Sequence, residues 1–287
     1  MSADGPRDEN ARADHGWQLA LPMYNNSPAL TEAGRALLRR VVQGLRAQGW
    51  AEPMALAEAG GDDLPAFWRA PDTLLSQTCG YPLVTQLAGD VDVLARPGFA
   101  IDGCEDHGYC SLIVVRDDDA IEDLADLQGQ RLAVNSPDSH SGMNALRHRL
   151  APVAAPRLKD GRFFAQVLRS GSHASSLALV QTGKADVCAV DCVSFTHLAE
   201  HRPEAVYGLR VLARTEQAPS LPWICNRHLG AAQKAQLLAL VMDLPQSEPA
   251  ACATLRLQSF KPATLADYAP IVAMEEGAVG LGYPVLR

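Results

Sequence analysis

Residues 132–150 read Leu-Ala-Val-Asn, then Ser-Pro-Asp-Ser-His-Ser-Gly, then Met-Asn-Ala-Leu-Arg-His-Arg-Leu. This order predicts a short apolar strand, a hydroxyl-rich turn and an amphipathic helix. Ser139 or Ser141 is suited to cap the helix, and Gly142 permits a close approach of the backbone. Because the first N–H groups of a helix lack intrahelical partners, the turn could hold a small oxyanion. The same residues could also do no more than cap the helix.

The composition is typical of a globular protein: among 287 residues, 47% are hydrophobic, 20% are charged, and the net charge is −8. No long basic run is present, which argues against a nucleic-acid-binding protein. The polar first 16 residues lack the apolar core of a secretory signal, and no window approaches the roughly 18 apolar residues of a membrane span. We therefore expect a disordered tail over residues 1–16 and a cytoplasmic chain, or a periplasmic one if a signal has been removed. The seven scattered cysteines favour reduced thiols.

Strands and helices alternate along the chain, which predicts an α/β protein. One of these helices is predicted over the acidic stretch 118–127. Two apolar strands, 111–116 and 209–215, are suited to cross between two lobes. The middle segment 111–212 then forms lobe 2, while lobe 1 is built from residues 17–110 and 213–287.

Candidate ligand-binding residues lie at strand ends or at the helix starts that follow them. In open α/β sheets, ligands bind outside the carboxyl ends of the strands. His173 could donate to an anion or bond locally, and Asp191 could accept from a ligand or cap the next turn. Tyr24 and Tyr81 could line the cleft or pack in the core. The full predicted set is Tyr24, Thr78, Tyr81, Ser139, His140, Ser141, Gly142, His173, Asp191 and Cys192.

The candidate metal and cofactor motifs are weaker than the candidate ligand-binding residues. His197 and His201 have helical ligand spacing, but no Glu follows the first His as a zinc peptidase requires. Cys104 and Cys110 lack the short Cys-x2-Cys turn of structural zinc sites. No phosphate-binding loop, dinucleotide fingerprint or nucleophile elbow occurs. We therefore predict no metal and no cofactor.

Seven short motifs occur in a consistent order along the chain. They are Leu-Pro-Met-Tyr at 21–24, Ser-Gln-Thr-Cys-Gly-Tyr-Pro at 76–82, Tyr-x-Ser-x-Ile-Val-Val at 109–115, Asp-Leu-Gln-Gly at 126–129, Ser-His-Ser-Gly at 139–142, Gly-Ser-His at 171–173, and Gly-x-x-Asp at 183–186 leading to Asp191. Over about residues 17–225, this series resembles the phosphate/phosphonate-type solute-binding proteins of ABC transporters. The resemblance implies the two-lobed type 2 periplasmic-binding fold, with two mixed β-sheets, flanking helices and a hinge of two crossing strands.

The resemblance also implies a function. Two lobes would close on phosphate, a phosphonate or a related oxyanion, and the chain would work with an ABC permease if it is exported. The hydroxyl and N–H groups of Ser139, His140 and Ser141 would hold the ligand oxygens. His140 stands where the family commonly has Thr or Ser. Tyr81, His173 and Asp191 would contact the rest of the ligand.

Alternatives from other classes share this architecture. A cytosolic enzyme, such as a small biosynthetic lyase similar to chorismate dehydratase, could use His173 or Asp191 for proton transfer on an organic acid. A cytosolic ligand sensor is a second possibility. A hydrolase triad of Ser139, His173 and Asp191 can also be drawn, although any chain of this length offers such triples. We predict a non-catalytic binding protein.

Overall fold

The computed structural model describes residues 16–59 and 64–287. The predicted disordered tail, residues 1–16, lies outside the described residues except for Gly16. Within the described ranges the strands form a six-stranded sheet, a five-stranded sheet and a two-stranded ribbon. Helices flank both large sheets, so the predicted mixed α/β fold is confirmed.

The six-stranded sheet is built from both ends of the chain. Its strands are β1 (Trp17–Ala20), β2 (Met54–Leu56), β3 (Thr73–Gln77), β4 (Val91–Phe99), β12 (Trp223–Asn226) and β13 (Leu257–Pro262). They lie in the order β13-β4-β12-β3-β1-β2. β1 is parallel to β2 and β3, whereas β12 is antiparallel to β3 and β4. The parallel half presents its carboxyl ends at one edge, where the polar segment after β3 begins.

The five-stranded sheet is built from the middle of the chain. Its strands are β6 (Ser111–Arg116), β7 (Arg131–Val134), β8 (Gln166–Arg169), β9 (Val187–Asp191) and β10 (Leu209–Arg214). They lie in the order β10-β6-β9-β7-β8. β7 is parallel to β8 and β9, so the carboxyl ends of these three strands meet at one edge. The predicted turn after residue 135 follows β7, His173 follows β8, and Asp191 is the last residue of β9.

A short ribbon joins the two sheets. Its strands are β5 (Gly108–Tyr109) and β11 (Ala218–Pro219), which pair antiparallel. Along the chain β5 lies between β4 and β6, and β11 lies between β10 and β12. The chain therefore passes between the sheets twice, side by side. The predicted crossing segments 111–116 and 209–215 form β6 and β10, which pair with each other in the second sheet immediately beyond the ribbon.

Side-chain caps and buried faces define the helices. In the first helix, Ser27 Oγ accepts from the Leu30 N–H (3.3 Å) and Pro28 opens the first turn. Leu37 and Val41, one turn apart, are buried on its inner face. The α-helices are α1 (Pro28–Ala47), α2 (Leu64–Arg69), α3 (Gly80–Thr85), α4 (Ala145–Ala154), α5 (His173–Gln181), α6 (Cys192–His201), α7 (Ala231–Ser247), α8 (Pro249–Thr254) and α9 (Ala269–Gly280).

Among the described residues, two clusters of buried apolar side chains form the core. The larger cluster contains the first sheet and its helices together with one face of the second sheet, for example Val114 and Val190. The smaller cluster surrounds β7 and α4 on the other face of the second sheet. Three residues near the C-terminus, Ala278, Tyr283 and Leu286, pack in the smaller cluster. The C-terminal segment thus contacts the second sheet as well as the first. The lobe boundaries predicted from the sequence, which give 213–287 to lobe 1, stay a prediction.

The helix predicted over 118–127 is wrong, because this segment forms a series of turns. Asp123 Oδ1 accepts from the Ala125 N–H (2.7 Å), and Asp126 Oδ2 accepts from the Glu122 N–H (2.9 Å). Such bonds from Asp side chains to nearby backbone compete with the i→i−4 bonds of a helix. The acidic residues that suggested a helical face instead hold the turns.

Candidate functional site

The predicted turn and helix form at the carboxyl end of β7. Ser139 is the N-cap, and its Oγ accepts from the Gly142 N–H at 3.0 Å. A π-helical turn over His140–Asn144 follows and continues into α4. A Cβ on Gly142 would overlap Asn135 Oδ1, so the close approach of Asn135 requires glycine. Capping and packing thus account for Ser139 and Gly142, while π-turns recur at functional sites.

His140 is buried at the first position of this turn. Its backbone N–H lies 3.4 Å from Sγ of Cys79, between β3 and α3, so the turn touches the first sheet's side of the molecule. Its ring lies against Tyr109, with ring centroids 6.1 Å apart. Burial, followed by repulsion from His148, lowers the pKa of His140 to about 3. The imidazole is therefore neutral at physiological pH.

Asn144 decides which nitrogen of His140 carries the proton. Its Oδ1 accepts from Arg147 Nη2 (2.8 Å), and its Nδ2 donates to the Ile271 carbonyl (3.0 Å) and to His140 Nδ1 (3.3 Å). An accepting Nδ1 is unprotonated, so the proton of the neutral ring lies on Nε2. Among residues 16–59 and 64–287, this buried Nε2 has no hydrogen-bond partner. His140 therefore presents a neutral donor to which the described chain offers no acceptor.

The structure brings Ser141, His173 and Asp191 together. Ser141 Oγ lies 2.9 Å from His173 Nε2, and Asp191 Oδ2 lies 3.3 Å from the same nitrogen. The tautomer of His173 decides whether the Ser141 hydroxyl donates to Nε2 or accepts from it. Burial lowers the pKa of His173, and the charge of Asp191 opposes this effect.

Asp191 also has a structural role. As the N-cap of α6, it accepts from the Ser194 N–H through Oδ1 at 2.7 Å. The capping role considered for Asp191 is therefore observed. Each carboxylate oxygen has two acceptor sites, so capacity for a ligand donor is left on Oδ2. The ligand-binding role of Asp191 stays a prediction.

This arrangement differs from the relay of serine hydrolases. In that relay, the hydroxyl and the carboxylate bind opposite nitrogens of the histidine ring. Here both contact Nε2 of His173, and Nδ1 is buried without a partner in the part of the chain that the structure describes. The hydroxyl at the ring belongs to Ser141, whereas Ser139 caps the helix. The geometry does not support the triad alternative.

Tyr24 lies close to the same carboxylate from the first sheet's side. Its ring packs edge-on against Phe99 and His197, with centroid distances of 5.6 and 5.7 Å. Its φ of +49° is uncommon for a residue with a side chain, and such strain recurs at functional sites. Burial, followed by the charge of Asp191, raises the pKa of Tyr24 well above its usual range. The phenol therefore stays protonated and can donate.

Tyr109, at the end of ribbon strand β5, is a candidate that the sequence analysis missed. It is fully buried, and burial, followed by the charges of Cys79 and Asp191, raises the pKa of its phenol well above its usual range. Like the Tyr24 hydroxyl, the Tyr109 hydroxyl has no hydrogen-bond partner within the described segments. The only signal in the sequence is a phenol at the start of an apolar run, which also fits a packed core residue.

The remaining predicted residues are engaged elsewhere. The Tyr81 hydroxyl donates to Glu275 Oε1 (2.8 Å), and the ring lines a separate crevice of about 380 Å³. Thr78 is buried, and its hydroxyl donates to the next residue's carbonyl (3.3 Å). Cys192 directly follows Asp191, but its Sγ lies 3.4 Å from that of Cys104. Any contact of these three residues with a ligand stays a prediction.

The donors at this site are uncharged. They are the imidazole N–H of His140, the hydroxyl of Ser141 and the two phenols; Ser141 contacts His173 beside Asp191, and the charge of Asp191 acts on both phenols. The guanidinium of Arg147 stands behind Asn144, where it pairs with Glu275 at 3.1 Å and donates to the Pro284 carbonyl at 2.6 Å. Since that cation is already neutralised, the chemistry of the site is that of neutral hydrogen-bond donors beside an acceptor.

In the described portion of the chain, no helix is both long and apolar enough to cross a bilayer. The fold is shared with a binding-protein component of an ABC phosphonate transporter from Pseudomonas aeruginosa, at a TM-score of 0.76 and 17% identity over 93% of this chain and 87% of that one. PhnD1 from Prochlorococcus marinus, in complex with methylphosphonate, superposes at a TM-score of 0.75 with 17% identity over 91% and 97% of the chains.

A third structure of similar fold is the alkanesulfonate-binding protein SsuA from Xanthomonas axonopodis pv. citri, bound to MOPS. Its TM-score is 0.59, with 17% identity over 94% of this chain and 96% of that one. Residues 72–268, more than half of the chain, match the family described as "ABC transporter, phosphonate, periplasmic substrate-binding protein". That description lends no support to the cytoplasmic location predicted from the first residues. The chain belongs to this phosphonate-transporter family of solute-binding proteins.

Proposed function

We propose that this chain binds a phosphonate, or a closely related small oxyanion, between its two sheets. The observation that carries the proposal is the set of three buried neutral donors without partners in the described chain: His140 Nε2, the Tyr24 hydroxyl and the Tyr109 hydroxyl. A buried donor left unpaired costs about 1–3 kcal/mol. Three such donors, two of which lie near Asp191, are accounted for if a ligand supplies the acceptors.

The donors suit an oxyanion that is held without a full positive charge. Ser141 adds a hydroxyl, and the helix that follows Ser139 adds the positive end of its dipole. Two N–H groups of its first turn, those of His140 and Gly142, are already directed to Cys79 and Ser139. Hydrogen bonds to a charged group are worth about 1.5–3 kcal/mol each, so a few of them suffice for tight binding.

Asp191 favours a ligand that also carries a hydrogen to donate. A phosphonate monoanion retains one P–OH group, whereas a sulfonate has no such hydrogen near neutral pH. The hydroxyl or an amino group of the ligand can donate to the free acceptor site on Asp191 Oδ2, while a sulfonate would bring its negative charge against the carboxylate. We therefore propose selectivity for phosphonates over sulfonates.

Membership of the family supports a role in uptake, in which the loaded protein delivers its ligand to an ABC permease. Delivery requires the two sheets to separate about the β5–β11 ribbon, where the chain crosses twice. This role places the functional chain in the periplasm. No observation on this chain favours the lyase or the sensor over solute binding.

The test is a titration of methylphosphonate and methanesulfonate into the full chain and into single Tyr→Phe variants. We expect Tyr24→Phe and Tyr109→Phe each to weaken methylphosphonate binding by about 10- to 100-fold, as one hydrogen bond to a charged group is lost. Thermal stability without ligand should stay equal or rise, because each variant removes an unpaired buried hydroxyl.

Tyr268→Phe is the matched control. Its hydroxyl is buried but donates to the Ser220 carbonyl at 2.8 Å, so this variant should lose about 1 kcal/mol of stability and keep its affinity. If Tyr24→Phe and Tyr109→Phe both bind methylphosphonate as the unmodified chain does, the proposed site is wrong. If the unmodified chain binds neither anion, the proposed function is wrong.

A further inference from the structure

Three cysteines from separate parts of the chain meet beside Asp191. Cys104 lies in the loop 100–107 between β4 and β5, Cys110 lies between β5 and β6, and Cys192 opens α6. The sulfurs of Cys104 and Cys192 are 3.4 Å apart. The Cys192 N–H donates to the Cys110 carbonyl at 3.0 Å, which fixes this end of α6 against the crossing segment. The proposed anion site makes no use of these thiols.

We propose that Cys104 and Cys192 form a reversible disulfide when the protein meets a peroxide. A disulfide requires an S–S distance of about 2.05 Å, so the sulfurs must approach by about 1.4 Å, which side-chain rotation can supply. Cys104 is partly exposed, while Cys192 and Cys110 are buried. An oxidant from solvent therefore reaches Cys104 first, and Cys192 is the neighbour that resolves the product.

The chemistry is a two-electron oxidation. The Cys104 thiolate attacks one peroxide oxygen, the O–O bond breaks, and a sulfenic acid and hydroxide result. The Cys192 thiolate then attacks the Cys104 sulfur and displaces a second hydroxide as the S–S bond forms. With the two thiol protons, both hydroxides become water, so two thiols are oxidised while one hydrogen peroxide is reduced. The hydrogen bond to Cys104 raises the pKa of Cys192, the one with Cys110 lowers it, and burial raises it again, with a net rise, so the second step should be faster at alkaline pH.

Cys104 and Cys192 lie on segments that follow strands of different sheets, so a disulfide between them would link these segments. Loop 100–107 continues from β4 of the first sheet, whereas α6 follows β9 of the second. The loop already contacts the other crossing segment, since Gln217 Nε2 donates to the Gly103 carbonyl at 2.9 Å. A disulfide would tie the loop covalently to the helix that Asp191 caps. This tie should restrict separation of the sheets and slow ligand release, an effect that rests on the proposed function.

The first experiment needs no ligand. The full chain is treated with a small excess of hydrogen peroxide at pH 8.5, its remaining thiols are alkylated, and it is cut after Glu and Asp without reductant. Cleavage at Glu105 separates Cys104 from Cys110, and cleavage at Asp191 separates Cys188 from Cys192. We expect a peptide pair joined through Cys104 and Cys192, which dithiothreitol separates.

Cys104→Ser should abolish the linked pair, and Cys252→Ser, which changes a buried thiol in α8, should leave it intact. A disulfide of Cys110 with Cys192, a sulfinic acid on Cys104, or unmodified thiols would each overturn the proposal.

The second experiment measures the dissociation rate of methylphosphonate before and after oxidation. We expect release to slow by on the order of tenfold in the oxidised chain, and dithiothreitol to restore it. Release at the same rate from a fully cross-linked chain would overturn the effect on the hinge. If methylphosphonate does not bind at all, the proposed function fails, while the peptide pair still decides whether the disulfide forms.

Discussion

His140 and His173 face the same site from two helix starts of the second sheet, but their rings differ in what they bind. His173 uses Nε2 for contacts with Ser141 at 2.9 Å and Asp191 at 3.3 Å. His140 receives a hydrogen bond from Asn144 on Nδ1, and its Nε2 has no partner among the residues described. One histidine therefore organises neighbouring polar groups, while the other has a buried donor that we propose for the ligand.

The two histidines differ in the hydrogen-bonding groups that surround their rings. Asn144 is itself held by Arg147 and the Ile271 carbonyl, so the tautomer of His140 is set by three elements at once. His173 contacts the Ser141 hydroxyl and the carboxylate of Asp191, which also caps a helix. Such a supporting network fixes the direction and protonation of a buried donor before the ligand arrives, which lowers the free-energy cost of binding.

The largest expected effect comes from removing the donor of His140. His140→Phe should weaken methylphosphonate binding by at least about 100-fold, through loss of a hydrogen bond to a charged group and exposure of the ligand to an apolar ring. His140→Gln, which can still offer an N–H, should recover part of this loss. Isothermal titration of both variants measures the effect, and equal losses for Phe and Gln would contradict the role of the N–H.

The next effect is a dependence of stability on pH. The pKa of His140 falls from 6.5 to about 3 on folding, so below pH 6.5 the unfolded chain binds a proton that the folded chain does not. The contribution of His140 to the free energy of unfolding is fully present above pH 6.5. It decreases by about 2 kcal/mol between pH 7 and pH 5. Burial lowers the pKa values of His173 and His197 as well, which adds in the same direction.

Urea unfolding at pH 7, 6 and 5 measures this dependence. His140→Gln should remove about 2 kcal/mol of it, because the variant has no proton to gain in the unfolded state. A decrease of the same size in the variant and in the unmodified chain would mean that His140 is not the buried neutral group described.

The smallest effect separates the two serines of the turn. Ser139→Ala removes a helix cap and should cost about 1 kcal/mol of stability with little change in affinity. Ser141→Ala should leave stability within about 0.5 kcal/mol and weaken methylphosphonate binding by about tenfold. Thermal unfolding and titration of both variants measure the contrast, and the reverse pattern would exchange the roles of the two hydroxyls.

Much of the site could be predicted from the order of the residues. The strand, turn and helix around Ser139 follow from caps and apolar periodicity, and the rule for strand ends brings His173 and Asp191 to one edge of the sheet. Local patterns predict local geometry well where side chains and backbone agree. The helix predicted over the acidic stretch 118–127 was wrong, because hydrogen bonds from Asp carboxylates to the backbone stabilise turns there instead of a helix.

Other features depend on contacts between distant segments. Tyr109 looks like a core residue until the ribbon places its hydroxyl near Asp191. Asn144 sits inside a helical turn, where no sequence pattern shows that its amide meets the Ile271 carbonyl, 127 positions away. The pairing of Cys104 with Cys192 likewise joins residues 88 positions apart.

The role of His140 as a neutral donor is tested most directly by the ¹⁵N NMR spectrum of the chain labelled at histidine, recorded from pH 5 to pH 8 with and without methylphosphonate. We expect His140 to stay neutral throughout, with an unprotonated Nδ1 and a proton on Nε2, and saturating methylphosphonate to shift the Nε2–H resonance strongly. The His173 nitrogens should shift less. A His140 ring that titrates near pH 6.5, carries its proton on Nδ1, or shows no shift with methylphosphonate would rule out His140 as the ligand's donor.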